Sequence, residues 1–335
     1  MRKVFIAVLA IQILLLTALP LSAQTIKFGT LAPEGSPWYN IIRDMAEVWK
    51  KATKGKTHFR IYPGGIAGDD PDMVRKMRIG QLHGAALTSI GLSQIAPEIE
   101  ALQMPMMLAS YEELDYVMDR ISQRFNAVLE AKGFKVLHWG DAGWVHFFAQ
   151  KPVVHIEDLK SMRLFVWSGD TAIVEAWKEG GYNPVPLPAT EIYTGLQSGL
   201  INAFATTPLA ALSFQWFGLA KNMTDLKWAP LIGATVISMK KWQKIPEDIR
   251  PILFKIALQS GVRMRRETRQ LDREAVEVMK KYGLVVHSVP RNVMETWERN
   301  ARATYLKIME KRGLAETVQE VERLRNHYRT SRNKE

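Results

Sequence analysis

The pattern of apolar and polar positions is most regular between residues 158 and 212, where its period switches repeatedly between two and about 3.6. Residues 162–167 (MRLFVW) are a β-rich apolar run. Gly169 and Asp170 then open a segment with Ile173, Val174 and Trp177 at helical spacing, closed by Gly180-Gly181. Val185 marks a short strand, residues 188–197 a helix and residues 201–206 a third strand. This succession predicts an open parallel sheet, whose ligands bind beyond the carboxyl ends of the strands. Phe165, Trp167, Asp170, Ala189, Thr206 and Thr207 occupy those ends.

The rest of the chain repeats the theme. Residues 25–30 alternate as a strand. Ser36-Pro37 is a helix start, with Trp38, Ile41, Ile42, Met45, Val48 and Trp49 on one stripe. Residues 57–62 and 82–87 predict two more strands, with a helix running from Asp70-Pro71 to Ile79 between them. That makes one doubly wound half. A helix follows over 111–132, a strand over 134–139, and a crossing strand over 140–150 that carries Trp144 and His146. Residues 229–239 are apolar and β-branched and should return to the first sheet. One long helix is expected over 242–281, a short strand over 284–287 and helix over 292–329. The fold class is α/β. The expected partition is 24–145 plus about 229–250 for the first domain and 146–228 plus about 284–330 for the second, bridged by a helix over 246–282.

Composition adds a compartment. The chain has 335 residues, 47% hydrophobic and 24% charged, which is enough for two cores. Arg2 and Lys3 precede an apolar run over 4–19, then Pro20 and the small pair Ser22-Ala23. This is a signal peptide with cleavage expected after Ala23, an uncleaved anchor being the alternative. The mature chain is therefore expected to be soluble and exported. With no cysteine there is no disulfide, thiolate metal site or cysteine nucleophile. The net charge of +11 is concentrated in the last third. In an exported chain it fits a solvated helix face or docking to an anionic surface or acidic partner, not nucleic acid. The seven histidines show no metal-type pairing, with His146 alone expected near the cleft. No nucleophile elbow, P-loop or dinucleotide fingerprint is present, so no metal, cofactor or catalytic residue is expected.

The order of motifs resembles the extracytoplasmic solute receptors of TRAP transporters, the C4-dicarboxylate-type binding proteins. The resemblance rests on residues 28–38 (FGTLAPEGSPW), 62–82 (YPGGIAGDDPDMVRKMRIGQL), 101–111 (ALQMPMMLASY), Asp158-Leu159-Lys160, Asn183-Pro184-Val185-Pro186, Glu191-Ile192-Tyr193 and Leu196-Gln197-Ser198-Gly199. It implies two α/β domains that close on a small-molecule ligand by a hinge, a long helix bracing both, and delivery to TRAP membrane permease subunits.

Departures from the family pattern carry the expectation about ligand. Phe165 stands where the family places an arginine that clamps the ligand carboxylate, and Val145 where a second arginine follows a Gly-aromatic pair. Thr207 replaces an asparagine before Pro208. A phenyl ring donates no hydrogen bond, so a carboxylate buried against it loses solvation without compensation. The expected ligand is therefore apolar or amphipathic, not a simple C4-dicarboxylate. Phe165, Trp167, Trp144, Trp38, Ser89, Thr206, Thr207 and Arg163 are the candidate ligand-binding residues. Several carry a second reading: Phe165, Trp144 and Trp167 as core, Trp38 as a helix staple, Ser89 as a cap, Thr206 and Thr207 bonding their own turn, and Arg163 as a surface charge. Two other classes compete, an envelope carrier that hands ligand to an accessory partner without a permease, and an exported hydrolase.

Overall fold

The computed structural model describes residues 24–332, so the expected signal peptide lies outside the described residues. The chain first lays down β1 (Gln24–Thr30), β2 (Thr57–Tyr62), β3 (Gly84–Thr88) and β4 (Phe134–Trp144). It then crosses into a second lobe with β5 (His146–Ala149), β6 (Arg163–Trp167), β7 (Asn183–Leu187), β8 (Ala203–Thr206) and β9 (Asn222–Asp225). It returns as β10 (Pro230–Ser238) and later adds β11 (Val285–Ser288). The first sheet has the order β2-β1-β3-β10-β4 and the second β11-β9-β5-β8-β6-β7.

Strands β1, β2 and β3 pair in parallel, as do β6, β7 and β8, and each parallel set is connected through helices. Both sheets are nevertheless mixed. Strand β10 runs antiparallel between β3 and β4, and β5 runs antiparallel to β8 and β9, because these strands carry the chain between lobes. The two crossings are stitched together, since Val145 N–H donates to Ala229 O at 2.8 Å and Trp228 N–H donates to Val145 O at 2.8 Å.

Helix starts follow their capping chemistry. Ser36 caps Pro37–Ala52 by accepting from Tyr39 N–H, and Ser110 caps Tyr111–Ala131 by accepting from Glu113 N–H. The long helix runs Arg250–Lys281, with Pro251 in its first turn. It is shorter at its start than the periodicity predicts. Residues Met239–Trp242 form a separate short helix, and Pro246 disfavours helical backbone at Ile245 before it. The long helix packs against Pro37–Ala52 and β4 of the first lobe and against Pro208–Ser213 of the second, where Leu209 N–H donates to Asp272 Oδ1 at 2.9 Å.

The C-terminal region corrects the sequence reading. The helix expected over 292–329 divides at Gly313 (φ +70°) into Arg291–Lys311 and Ala315–Arg332. Val293, Trp297 and Ala301 pack into the second lobe's core, whereas Val318 and Val321 join the first lobe's core beside Tyr111–Ala131. The last helix therefore returns to the first lobe instead of belonging wholly to the second.

Candidate functional site

A cavity of about 270 Å³ lies between the lobes, where the ends of β1, β3, β6 and β8 converge. From the first lobe it is walled by Trp38, Thr88 and His138, among others. From the second lobe Phe165, Trp167, Thr206, Tyr193, Phe214 and Trp216 contribute. Phe165 is 4% exposed and its ring meets Trp167 edge-on at 5.8 Å. A smaller cavity of about 160 Å³ adjoins on the other side of this aromatic pair and is lined by Ser89, Ser93, Glu100 and Asp170. Phe165, Trp167 and Thr206 border both.

Of the eight candidates, Trp38, Phe165, Trp167 and Thr206 line the larger cavity and Ser89 the smaller one. The other three are placed elsewhere. Trp144 is a core residue of the first lobe, 3% exposed, its ring 5.8 Å from that of Tyr111. Thr207 is fully buried, and its hydroxyl caps Pro208–Ser213 by accepting from Ala210 N–H. Arg163 sits at the outer end of β6. Its Nε donates to Gly199 O at 2.8 Å and its N–H to Asn202 Oδ1 at 2.7 Å, and it borders neither cavity. Although Arg163 and Phe165 share a strand face, two residues along a strand displace a side chain by roughly 7 Å, here from cleft to rim.

The sequence reading also missed residues. His146 is buried with Nδ1 3.1 Å from Thr224 O, away from the cavities, whereas His138 lines the larger one. Period two along β4 would have found it, since His138, Gly140 and Ala142 all border the cavity. Trp216 follows a helix stop at Phe214 and sits in a short 3₁₀ turn, where no periodicity could have signalled it.

The acidic groups beside the larger cavity are each already engaged or held by burial. Burial pushes the His138 imidazole down to about 4, so it is neutral near pH 7. Asp141 borders the larger cavity, but Arg269 holds it at 2.7 Å while also engaging Asp115 at 2.6 Å. The Thr88 hydroxyl donates to Asp70, whose carboxyl is driven up to about 7 by burial. Next to it Asp69 caps Asp70–Arg78 and reaches across the cleft, accepting Ala189 N–H from the second lobe at 2.8 Å. Among the described residues, no lysine or arginine lines either cavity. No group of three or more His, Asp or Glu among them could hold a metal ion, and no helix among them is long and apolar enough to cross a membrane.

Two lobes, paired crossings and a cavity at the strand ends define a solute-binding receptor that encloses its ligand. The sequence profile of the bacterial extracellular solute-binding proteins of family 7 matches residues 28–312, and the chain belongs to that family, the periplasmic receptors of TRAP transporters. It is 24% identical over 270 residues to the 2,3-diketo-L-gulonate-binding periplasmic protein YiaO of Escherichia coli, covering 79% of this chain and 81% of that protein. It is likewise 24% identical over 275 residues to the sialic acid-binding periplasmic protein SiaP of Vibrio cholerae, covering 79% and 83%. In fold it superimposes on the sugar acid binding protein DctPAm of Advenella mimigardefordensis, solved with galactonate, at a TM-score of 0.85 and 19% identity over 91% of this chain and 99% of that one. The family is one of receptors, not enzymes.

Proposed function

We propose that this chain takes an apolar or amphipathic solute into its interlobe cleft and delivers it to TRAP membrane permease subunits. The observation that carries the ligand class is the aromatic wall of Phe165 and Trp167, with no lysine or arginine among the described residues lining either cavity. An unpaired carboxylate moved into such a space loses several kcal/mol of hydration. Apolar surface moved there gains about 25 cal/mol per Å². The two terms favour an apolar body over a bare acid.

The relatives named above bind polar acids according to their names, so the reading turns on the residue at 165. Titration calorimetry with galactonate, glucuronate and succinate is expected to give no heat of binding. Native mass spectrometry of protein purified without refolding is expected to detect a bound apolar molecule. Micromolar binding of any of the three acids would overturn the proposed ligand class.

A further inference from the structure

We propose that the smaller cavity seats a protonated amine at one end of the ligand, while the ligand's apolar body occupies the larger cavity. The inference rests on the ligand class proposed above and names its head group.

Three observations support it. The first is charge. Asp170, from the turn after β6, and Glu100, from the first lobe, both border the smaller cavity and both bind the single guanidinium of Arg312, Asp170 at 2.6 Å. Two carboxylates on one cation leave one formal negative charge at the wall of a site that no lysine or arginine lines among the described residues. The second is Ser89. It is 1% exposed, lines the same cavity, and its hydroxyl oxygen has no hydrogen-bond partner among the described residues. A buried hydroxyl without a partner is destabilising, and an ammonium N–H would supply one. The third is the wall itself, which includes Trp167, Trp177 and Trp228, side chains of the type that attracts cations. Because Phe165 and Trp167 border both chambers, an elongated molecule passing that pair would place its head among the carboxylates and its chain in the larger space.

The test compares three probes that share an eight-carbon chain and differ in head group: octylamine, 1-octanol and octanoate. Binding is read by calorimetry on the mature protein. Octylamine is expected to bind at least tenfold more tightly than 1-octanol, with no octanoate binding. Asp170 caps Thr171–Glu179 by accepting from Ile173 N–H, and Asp170→Asn keeps that cap, since asparagine caps as well as aspartate. It and Glu100→Gln are each expected to abolish the amine preference, and Ser89→Ala to weaken octylamine alone by several-fold. Equal binding of amine and alcohol, or an amine preference that survives both acid substitutions, overturns the head-group inference while leaving the apolar ligand class standing. Tightest binding by octanoate overturns the head-group inference while leaving an amphipathic ligand standing, whereas failure of all three probes to bind overturns both.

Discussion

At the scale of single residues, the proposed ligand class turns on Phe165, which borders both cavities. Replacing it by arginine, Phe165→Arg, puts a guanidinium where the resemblance places a carboxylate clamp and buries it among aromatic rings, with the nearby acids Asp141, Asp170 and Glu100 already engaged by Arg269 and Arg312. The apo protein is expected to lose about 3 kcal/mol of stability in urea titrations, and to recover part of it when galactonate is added. Absence of galactonate binding in this variant would mean that the rest of the cleft also excludes sugar acids. Asp70 supplies a second test. Its carboxyl titrates near 7 in the folded protein because burial disfavours the charged form, against an ordinary value of 3.8. Between these values the folded state holds a proton that the unfolded state has released, so this group's contribution to stability falls as pH rises from about 4 to 7. Asp70→Asn removes the effect. The variant's stability relative to wild type is therefore expected to improve by on the order of 1–4 kcal/mol from pH 4.5 to 7.5. The difference is the quantity to measure, because His138 and His146, both pushed down to about 4, act in the opposite sense on each protein alike.

At the scale of elements, β4 and the turn into β5 show what a sequence can and cannot disclose. The side chain of Phe165 was legible because β6 is regular and period two fixes its face. Trp144 was not, because Gly143 adopts φ +106° and the β4–β10 register shifts between Pro230 and Ile232, so counting alternate residues fails just before it. The C-terminal helices posed another limit. Their apolar stripe signals that a face is buried, not which lobe buries it, and Gly313 redirects the chain between the two. The alternation of strands and helices was open to reading, whereas the antiparallel return strands depend on pairings distant in sequence. Gly143 also gives a test. A Cβ there would lie 2.4 Å from the Asp272 carboxylate, whereas one at Gly133 (φ +88°) would meet nothing within 4 Å. Gly133→Ala is expected to cost about 1 kcal/mol for the backbone alone. Gly143→Ala is expected to cost about 3 kcal/mol or more, measured by urea denaturation, since it adds a collision with a buried group.

At the scale of the whole molecule, Asp69 makes a buried polar contact between the lobes on the cleft side. One carboxylate oxygen accepts Asp70 N–H within its own lobe and the other accepts Ala189 N–H from the opposite lobe. Asp69→Asn keeps an oxygen for the first bond and loses the acceptor for the second. The variant is expected to fold normally and to bind solute about tenfold more weakly, in line with the loss of a charge-assisted hydrogen bond. Its radius of gyration without solute should exceed that of the wild type in small-angle scattering. Unchanged scattering and affinity would show that the contact does not govern closure.

The backbone bonds at Val145 restrict how the lobes can part. With these two strand connections zipped to each other, neither can lengthen or slip without breaking two hydrogen bonds together. The halves can swing like a book on its spine but cannot slide past one another. The free edges of the pages, away from that spine, are then where a solute is expected to pass.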